Sequence, residues 1–458
     1  CNIGLCELRD SFCIVPMALS NYRKDEIDYA IMEPDARVKS ANRRKIESYL
    51  KTDCVALWEL VSAFINRFGT KLTVAGAAMA QWEKIADLPA EKTNHLHYDY
   101  FAPYYYGGRV ECFSAGVIET KFSVYDINSA YPHAMLQKHP YSANFELKEG
   151  YLPNADFYKV ECISAGAFPF RGLGGDDNAG YGLTFPFDNE RRVYTITGWE
   201  MKAALDTKTV RDVKYIESIR FVRHTDFSAY INKFWKERAD AKKRGDKLGD
   251  IFGKLMMNSL YGKFAANPEN YNHFMIVPES DAQAFADNGG FTSGDSAHAW
   301  EFSGELGCWL LARKPLDEWE QRYYNVATGA SITGCVRAKL WRAICACDGV
   351  LYCDTDSIAV RRKGKGVILG DALGEWKHEG DFDKAGIAGK KLYIFRGVEI
   401  DGKREIKKAS KGVKLTEAEL WAVAAGGMVS YESENPTFSI SKAPYFTNRE
   451  IHATIKIN

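Results

Sequence analysis

The sequence predicts an α+β fold. Three observations carry that expectation. Two long helical patterns adjoin at about Phe227–Arg244 and Lys247–Phe264. Strand-like runs at Arg109–Phe113 and Lys121–Asp126 lead into a short helix near Ser129–Leu136. Val350–Tyr352 and Ile358–Arg361 read as two strands joined by Cys353–Ser357, which is a hairpin pattern. Helices and strands mixed in this way fit the α+β class.

Along the chain, a helical pattern runs from about Asn42 to Phe68, and Tyr105-Tyr106-Gly107-Gly108 marks a turn. Residues 145–225 read as mixed strands and loops, with a Gly/Asp-rich loop at Gly172–Gly182. Asn272–Glu279 and Trp300–Leu311 read as two strands around the polar tip Asp281–Ala299, which makes a hairpin insertion. That insertion has no Lys or Arg between Phe264 and Ala312 and carries Glu279, Asp281, Asp287, Asp295, Glu301 and Glu305. Such a surface repels phosphates, so a steric wedge is expected there rather than an electrostatic clamp. A helix is expected at about Ser331–Cys347, and the tail 438–458 reads as strand-rich.

Composition excludes several classes. A chain of 458 residues that is 46% hydrophobic and 26% charged is neither disordered nor fibrous, and its length suggests about three domains. No run of 18 apolar residues is present, so no transmembrane helix and no membrane partner are expected. The first 30 residues lack a basic start followed by an apolar run, so no secretory signal is expected. The 11 scattered cysteines form no CxxC pair, which fits a reducing, cytoplasmic compartment. Nine histidines without an HExxH pattern argue against zinc. Sixty Lys and Arg balance sixty Asp and Glu, so only local clustering speaks to a polyanionic partner. Lys384–Lys414 is such a cluster, with ten basic and three acidic residues, and either a duplex-holding surface or a solvated charged loop fits it. The chain opens with Cys1 rather than Met, from which a lost N-terminus is expected.

Three motifs carry the chemistry. In Tyr352-Cys353-Asp354-Thr355-Asp356-Ser357, two carboxylates at a hairpin tip point to nearly the same place. Like charges that close repel unless a divalent cation lies between them. A solvated Asp-rich turn is the alternative, and the apolar strands on both sides argue against it. In Tyr125-Asp126-Ile127-Asn128-Ser129-Ala130-Tyr131-Pro132, Asp126 ends a strand just before a helix. If the strands are neighbours, three carboxylates can hold two Mg²⁺ about 3.5–4 Å apart for in-line phosphoryl transfer. On the helix carrying Lys254–Gly262, Lys254, Asn258 and Tyr261 form one polar stripe on a largely apolar cylinder. A Lys for phosphates beside a Tyr for stacking suits a nucleotide, and an amphipathic helix with Lys254 in solvent is the alternative.

Together these motifs resemble those of family B DNA polymerases: DxxSxYP at Asp126–Pro132, KxxxNSxYG at Lys254–Gly262 and YxDTDS at Tyr352–Ser357, in that order. The likeness is closer to the protein-primed branch carried by phages and linear plasmids. Lys254–Pro268 is similar to that branch nearly residue for residue. Its YxGG turn is matched by Tyr105, Gly107 and Gly108, its Thr/Arg helix motif by Thr333 and Arg337, and its KxY motif by Lys391 and Tyr393.

The resemblance implies a right-hand polymerase fold of palm, fingers and small thumb, preceded by the tail end of a 3′–5′ exonuclease domain. It implies a DNA-directed DNA polymerase using two Mg²⁺ (Mn²⁺ as a substitute), with template, primer and dNTPs as partners, a terminal protein as a candidate primer, and the host cytoplasm as location if phage-encoded. Asp126 and Asp356 would be the main metal ligands, with Asp354 assisting and Ile127 offering its carbonyl. Lys254 would bind the triphosphate, with Arg238 and Lys242 as weaker candidates. Tyr261 would stack on the nascent base pair, and Tyr131 would lie under the sugar as a steric gate. Ser129, Asn258, Ser259, Gly262 and Phe264 would face DNA, and Tyr105, Gly107, Gly108, Thr333, Arg337, Lys391 and Tyr393 would hold template and primer. Ala130 stands where the family usually has Leu.

The implied domains are an exonuclease-like remnant at 1–95, palm at 96–225 and 316–400, fingers at 226–264, insertion at 265–315 and thumb at 401–458. Tyr49 and Asp53 match the exonuclease pattern YxxxD, whereas residues 1–48 contain no DxE, so no proofreading is expected of this chain. A primer-independent polymerase-primase on the same scaffold and a non-catalytic DNA-binding relic are the alternatives. A reverse transcriptase is disfavoured because its hairpin reads YxDD.

Overall fold

The computed structural model describes all residues except 1, 4–5, 8–10, 72, 173–181, 282, 285–300, 307–308, 400–403, 440–441 and 454–458. Most of the expected Gly172–Gly182 loop and the Asp281–Ala299 tip lie outside the described residues. Helices and strands are mixed as expected. The helices used below are α1 (Ser40–Phe68), α2 (Val74–Ala86), α3 (His95–Phe101), α4 (Ala130–Ala134), α5 (Gly198–Asp206), α6 (Ser228–Arg244), α7 (Lys247–Phe264), α8 (Val326–Ala346) and α9 (Glu417–Ala424).

The chain divides into two compact units, each made of two stretches: residues 1–90 with 227–263, and residues 91–226 with 264–458. In the first unit α1, α2, α6 and α7 pack through aromatic side chains. Phe64 meets Phe252 edge-on at 5.6 Å, Phe68 lies 6.2 Å from Phe234, and Trp82 lies 5.2 Å from Phe227. The Tyr230 hydroxyl donates to the Met256 carbonyl at 2.8 Å and ties α6 to α7. On α7 the residues Phe252, Met256, Met257 and Leu260 are buried, following the helical period, while Lys254 and Gly262 are exposed.

The second unit is built on a seven-stranded antiparallel sheet. Its strands are β1 (Val110–Cys112), β2 (Gly116–Ile127), β3 (Asp348–Asp354), β4 (Ser357–Arg362), β5 (Trp376–Gly389), β6 (Leu392–Gly397) and β7 (Ile406–Ser410), numbered within this sheet, in the order β7-β6-β5-β2-β4-β3-β1. Alternation on β2 buries Phe122 and Val124 with Leu351, Ala359, Phe382 and Phe395 on one face. A four-stranded sheet of 145–149, 157–164, 191–197 and 210–221 lies in the region expected to be strand-rich, and α5 interrupts it. Phe101 of α3, Phe157, Phe221 and the start of α8 form a second core.

Four differences from the sequence expectation have local causes. Trp300–Leu311 is two strands, Glu301–Leu306 and Trp309–Pro315, so the insertion is a three-stranded sheet with Asn272–Pro278 on the other side of the second of them. The register shifts between Phe302 and Gly304, an irregularity that suits a glycine. Helix α8 starts five residues earlier than Ser331, because Asn325 caps it through the Ala327 N–H at 3.1 Å. Helices α5 and α9 were not expected, yet each opens on a capping box, Thr197 with Glu200 and Thr416 with Glu419. The basic tract 384–414 is partly neutralised, mostly by carboxylates outside it: Lys384, Lys391, Arg396, Arg404, Lys407 and Lys408 pair with Glu119, Asp354, Asp383, Glu399, Glu379 and Glu417. Its free field is smaller than its net charge suggests.

Phe101 is fully buried and packs against six aromatic rings, the His97 imidazole among them. Phe101→Ala should therefore destabilise the second unit by about 3–5 kcal/mol, measured by urea unfolding.

Candidate active site

The site is set by strand register. Strands β3 and β4 form a hairpin in which Asp354 pairs with Ser357, leaving Thr355 and Asp356 as the turn. Thr355 has φ +57°, the left-handed conformation that a two-residue hairpin turn demands. On the other side of β4 lies β2, with Asp126 opposite Ser357, and the Ile127 N–H donates to the Asp356 carbonyl at 2.8 Å. Beyond β2, Lys377 of β5 faces Asp126. Asp126 is thus fixed between two strands at the level of the hairpin tip, as the motif reading required.

Electrostatics show how close the acidic groups are. Burial, followed by the Asp126 and Asp354 carboxylates, pushes Asp356 up to about 7. Asp354 is engaged instead by the Lys391 ammonium, which reaches its two oxygens at 2.6 and 2.8 Å. Among the described residues no three His, Cys, Asp or Glu side chains are already gathered as a metal cage. The donor set is nonetheless suited to a hard divalent cation: carboxylate oxygens and the adjacent Ile127 carbonyl, with the Lys391 ammonium holding the Asp354 carboxylate that a cation would compete for.

The YxGG turn supports the tip. The Thr355 N–H donates to the Arg109 carbonyl at 2.6 Å, and a Cβ on Gly108 would lie 2.7 Å from the Thr355 side chain, so only glycine fits there. Arg337 supports the turn in its place: its guanidinium donates to the carbonyls of Tyr106 at 2.6 Å and Gly107 at 2.9 Å and pairs with Glu200 at 2.7 Å. Both members of that pair are buried, with side-chain exposures of 2% and 1%. Thr333 is also buried and donates to the Ala330 carbonyl at 3.1 Å. The Tyr105 carbonyl accepts from Arg171 at 2.7 Å. Tyr393 stacks on Phe395 at 4.5 Å and packs on Tyr352 at 4.9 Å; burial pushes its hydroxyl up to about 12.

Ser129, with φ +51°, turns the chain out of β2 into α4, which carries a partly exposed Tyr131. The α7 candidates lie in the other unit. Lys254 and Gly262 are exposed, Asn258, Ser259 and Tyr261 are half-buried, and Asn258 donates to the Lys254 carbonyl at 3.0 Å. Arg238 is paired with Asp250 at 2.7 Å, and Lys242 is exposed. Phe264 is buried and belongs to the second unit. In the first unit Tyr49 shares a hydroxyl contact of 3.3 Å with Tyr29, to which Lys24 donates at 2.9 Å, and Asp53 Oδ1 is buried without a hydrogen-bond partner.

Sequence reasoning missed Lys24 and Tyr29, which carry no pattern of their own. It also missed Glu200, which the Thr-x-x-Glu capping signature could have flagged.

Comparison with known proteins now bears on this geometry. Residues 15–299 match the family described as DNA polymerase type B, organellar and viral. The chain belongs to that family. It is 33% identical to the DNA-directed DNA polymerase of Enterobacteria phage PRD1, over 98% of this chain and 82% of that protein. It is 25% identical to the DNA polymerase of Bacillus phage phi29, over 61% of this chain and 46% of that one. The fold matches phi29 DNA polymerase complexed with primer–template DNA and incoming nucleotides, with a TM-score of 0.69 at 19% identity, covering 98% and 80% of the two chains. Family, phage branch and right-hand polymerase fold thus stand as the motifs implied. No described helix is long and apolar enough to cross a membrane.

Removing one member of a buried ion pair strands the other. Arg337→Ala should cost about 3–5 kcal/mol in urea unfolding, and Arg337→Leu combined with Glu200→Leu should cost much less.

Proposed function

We propose that this type B DNA polymerase copies a DNA template by adding dNMPs to a primer 3′-OH, with Asp126 and Asp356 as its main metal ligands. The observation that supports this most is the register that sets Asp126 beside the Asp354–Ser357 tip, together with the raised proton affinity of Asp356. Two divalent cations, Mg²⁺ or Mn²⁺, would activate the 3′-OH and stabilise the leaving pyrophosphate.

The protein's own share is positioning and charge. Asp126 and Asp356 hold their oxygens at fixed points on adjacent strands, and Ile127 adds its carbonyl. Asp354 assists once its carboxylate leaves Lys391, whose ammonium is then free for a phosphate or the primer end. Tyr131 lies under the sugar and excludes a 2′-OH. Lys254 takes the triphosphate with help from Lys242 and Arg238, and Tyr261 stacks on the new base pair. Asn258, Ser259, Gly262, Phe264 and Ser129 face DNA. Arg337 and Thr333 are buried, so they act on DNA through the turn Tyr105–Gly108 that Arg337 holds, while Tyr393 supports Lys391.

In this reading residues 96–225 and 316–400 form the palm, 226–264 the fingers, 265–315 the insertion and 401–458 the thumb. Tyr49, Asp53, Lys24 and Tyr29 belong to an exonuclease-like part at 1–95. A protein primer and the host cytoplasm fit the phage relatives.

Asp126→Asn and Asp356→Asn should each lower primer extension by at least about a thousandfold, because positioning and charge stabilisation supply nearly all of phosphoryl-transfer catalysis. Primer–template affinity by fluorescence anisotropy should change little. Extension at the wild-type rate by either variant would mean that the site is misassigned. Chelation by EDTA should stop extension reversibly, with activity returning on added Mg²⁺.

A further inference from the structure

We propose that the loop Gly370–Trp376, through Gly374 and His133, sets the position of Tyr131 and with it the choice between deoxyribose and ribose. This rests on the reading of Tyr131 as the residue under the sugar.

The loop holds the turn after Asp126 at three polar groups of Asn128. The Asn128 N–H donates to the Glu375 carbonyl at 2.8 Å, the Gly374 N–H donates to the Asn128 carbonyl at 2.8 Å, and the Asn128 side-chain amide donates to the Gly370 carbonyl at 2.7 Å. Its base is closed by Gly370 N–H to the Trp376 carbonyl at 3.1 Å, and Trp376 pairs with Ile127. From the buried helix α8, the Lys339 ammonium donates to the Gly374 carbonyl. The next residue, Ser129, stands at φ +51°, a conformation that costs a non-glycine residue about 1–3 kcal/mol unless its surroundings fix it. The loop supplies that fixation.

The second contact reaches the helix itself. Gly374 is buried at φ +81°, and a Cβ there would lie 2.0 Å from His133 Cδ2 and 2.3 Å from Cγ. The His133 ring therefore rests on the bare Cα of Gly374. His133 follows Tyr131 by two residues on α4, and its N–H donates to the Ser129 carbonyl at 2.9 Å. Asp126 is held separately, in ladders with β4 and β5. A push on His133 thus moves Tyr131 while the carboxylates stay in place. Selection of the sugar should suffer before chemistry does.

The test uses the full chain on a primed template, with kcat/KM measured for one dNTP and its rNTP. Tyr131→Val serves as the reference and should admit the ribonucleotide. Gly374→Ala should lower the dNTP/rNTP ratio about tenfold, since a displacement of about 1 Å near a reacting group can cost up to about a hundredfold. Its KM for the dNTP should rise more than its kcat falls. Adding His133→Ala removes the ring that the new methyl meets and should restore most of the ratio, which a merely destabilised protein would not do. If Gly374→Ala does not fold, Asn128→Ala, which removes one bond to Gly370, should shift the ratio the same way. A failed Tyr131→Val would overturn the reading of Tyr131. A working Tyr131→Val with an unchanged ratio in Gly374→Ala, or with no recovery on adding His133→Ala, would overturn the role of the loop alone.

Discussion

Mutual repulsion of carboxylates is the constraint on which this fold turns. Asp126, Asp354 and Asp356 sit near one another at partly buried strand ends, and burial first, then the two neighbouring carboxylates, raises the proton affinity of Asp356. A flexible chain would let such groups drift apart into water. Here the β2–β4 ladder fixes Asp126 opposite Ser357, and a tight turn with Thr355 in the left-handed region fixes the other two. The scaffold stores the repulsion as readiness for cations, and Lys391 offsets part of it meanwhile.

Much of the remaining polar structure exists to keep that tip in place. Helix α8 is buried over most of its surface, with 16 of its residues inside and a partly exposed stripe at Cys335, Lys339 and Arg342. Polar groups on such a helix must be matched internally. Arg337 is matched at Nε by Glu200 and at Nη1 by two carbonyls of the YxGG turn, while its Nη2 is buried without a hydrogen-bond partner, and that turn in turn backs the hairpin through Arg109 and Thr355. The support therefore runs from a helix core to the catalytic hairpin through hydrogen bonds that are buried at the helix and partly buried at the turn.

The parts of the fold legible in the sequence are those where residue type and spacing reflect a local rule. The hairpin at Asp354–Ser357, the strand ending at Asp126 and the pair of helices up to Phe264 follow from period and turn chemistry. Two acidic residues flanking Thr355 between apolar strands also pointed in the sequence to a cation site, with a solvated turn as the alternative. Contacts between distant segments were not legible. Nothing in Thr333 or Arg337 says that they are buried, nothing in Lys391 says that it grips Asp354, and nothing in Gly374 says that a histidine 241 positions earlier rests on it. In the insertion the pairing of the two strand-like runs was legible, whereas the third strand Glu301–Leu306, folded back on Trp309–Pro315, was not, because one continuous strand-like run does not show where it doubles back.

The interleaving of the two units has a consequence for how the chain is born. Phe64 and Phe68 of α1 find their aromatic partners on Phe234 and Phe252, in the stretch that follows residue 226. During synthesis they emerge first and must wait for residues 91–226 to be made. At ribosomal speeds of about 5–20 residues per second that delay is on the order of ten seconds. Throughout it a long helix displays an uncovered aromatic ridge, the kind of surface that chaperones bind and that drives nascent chains to associate. Codon usage and growth temperature should therefore govern the yield of this protein more than its final stability does.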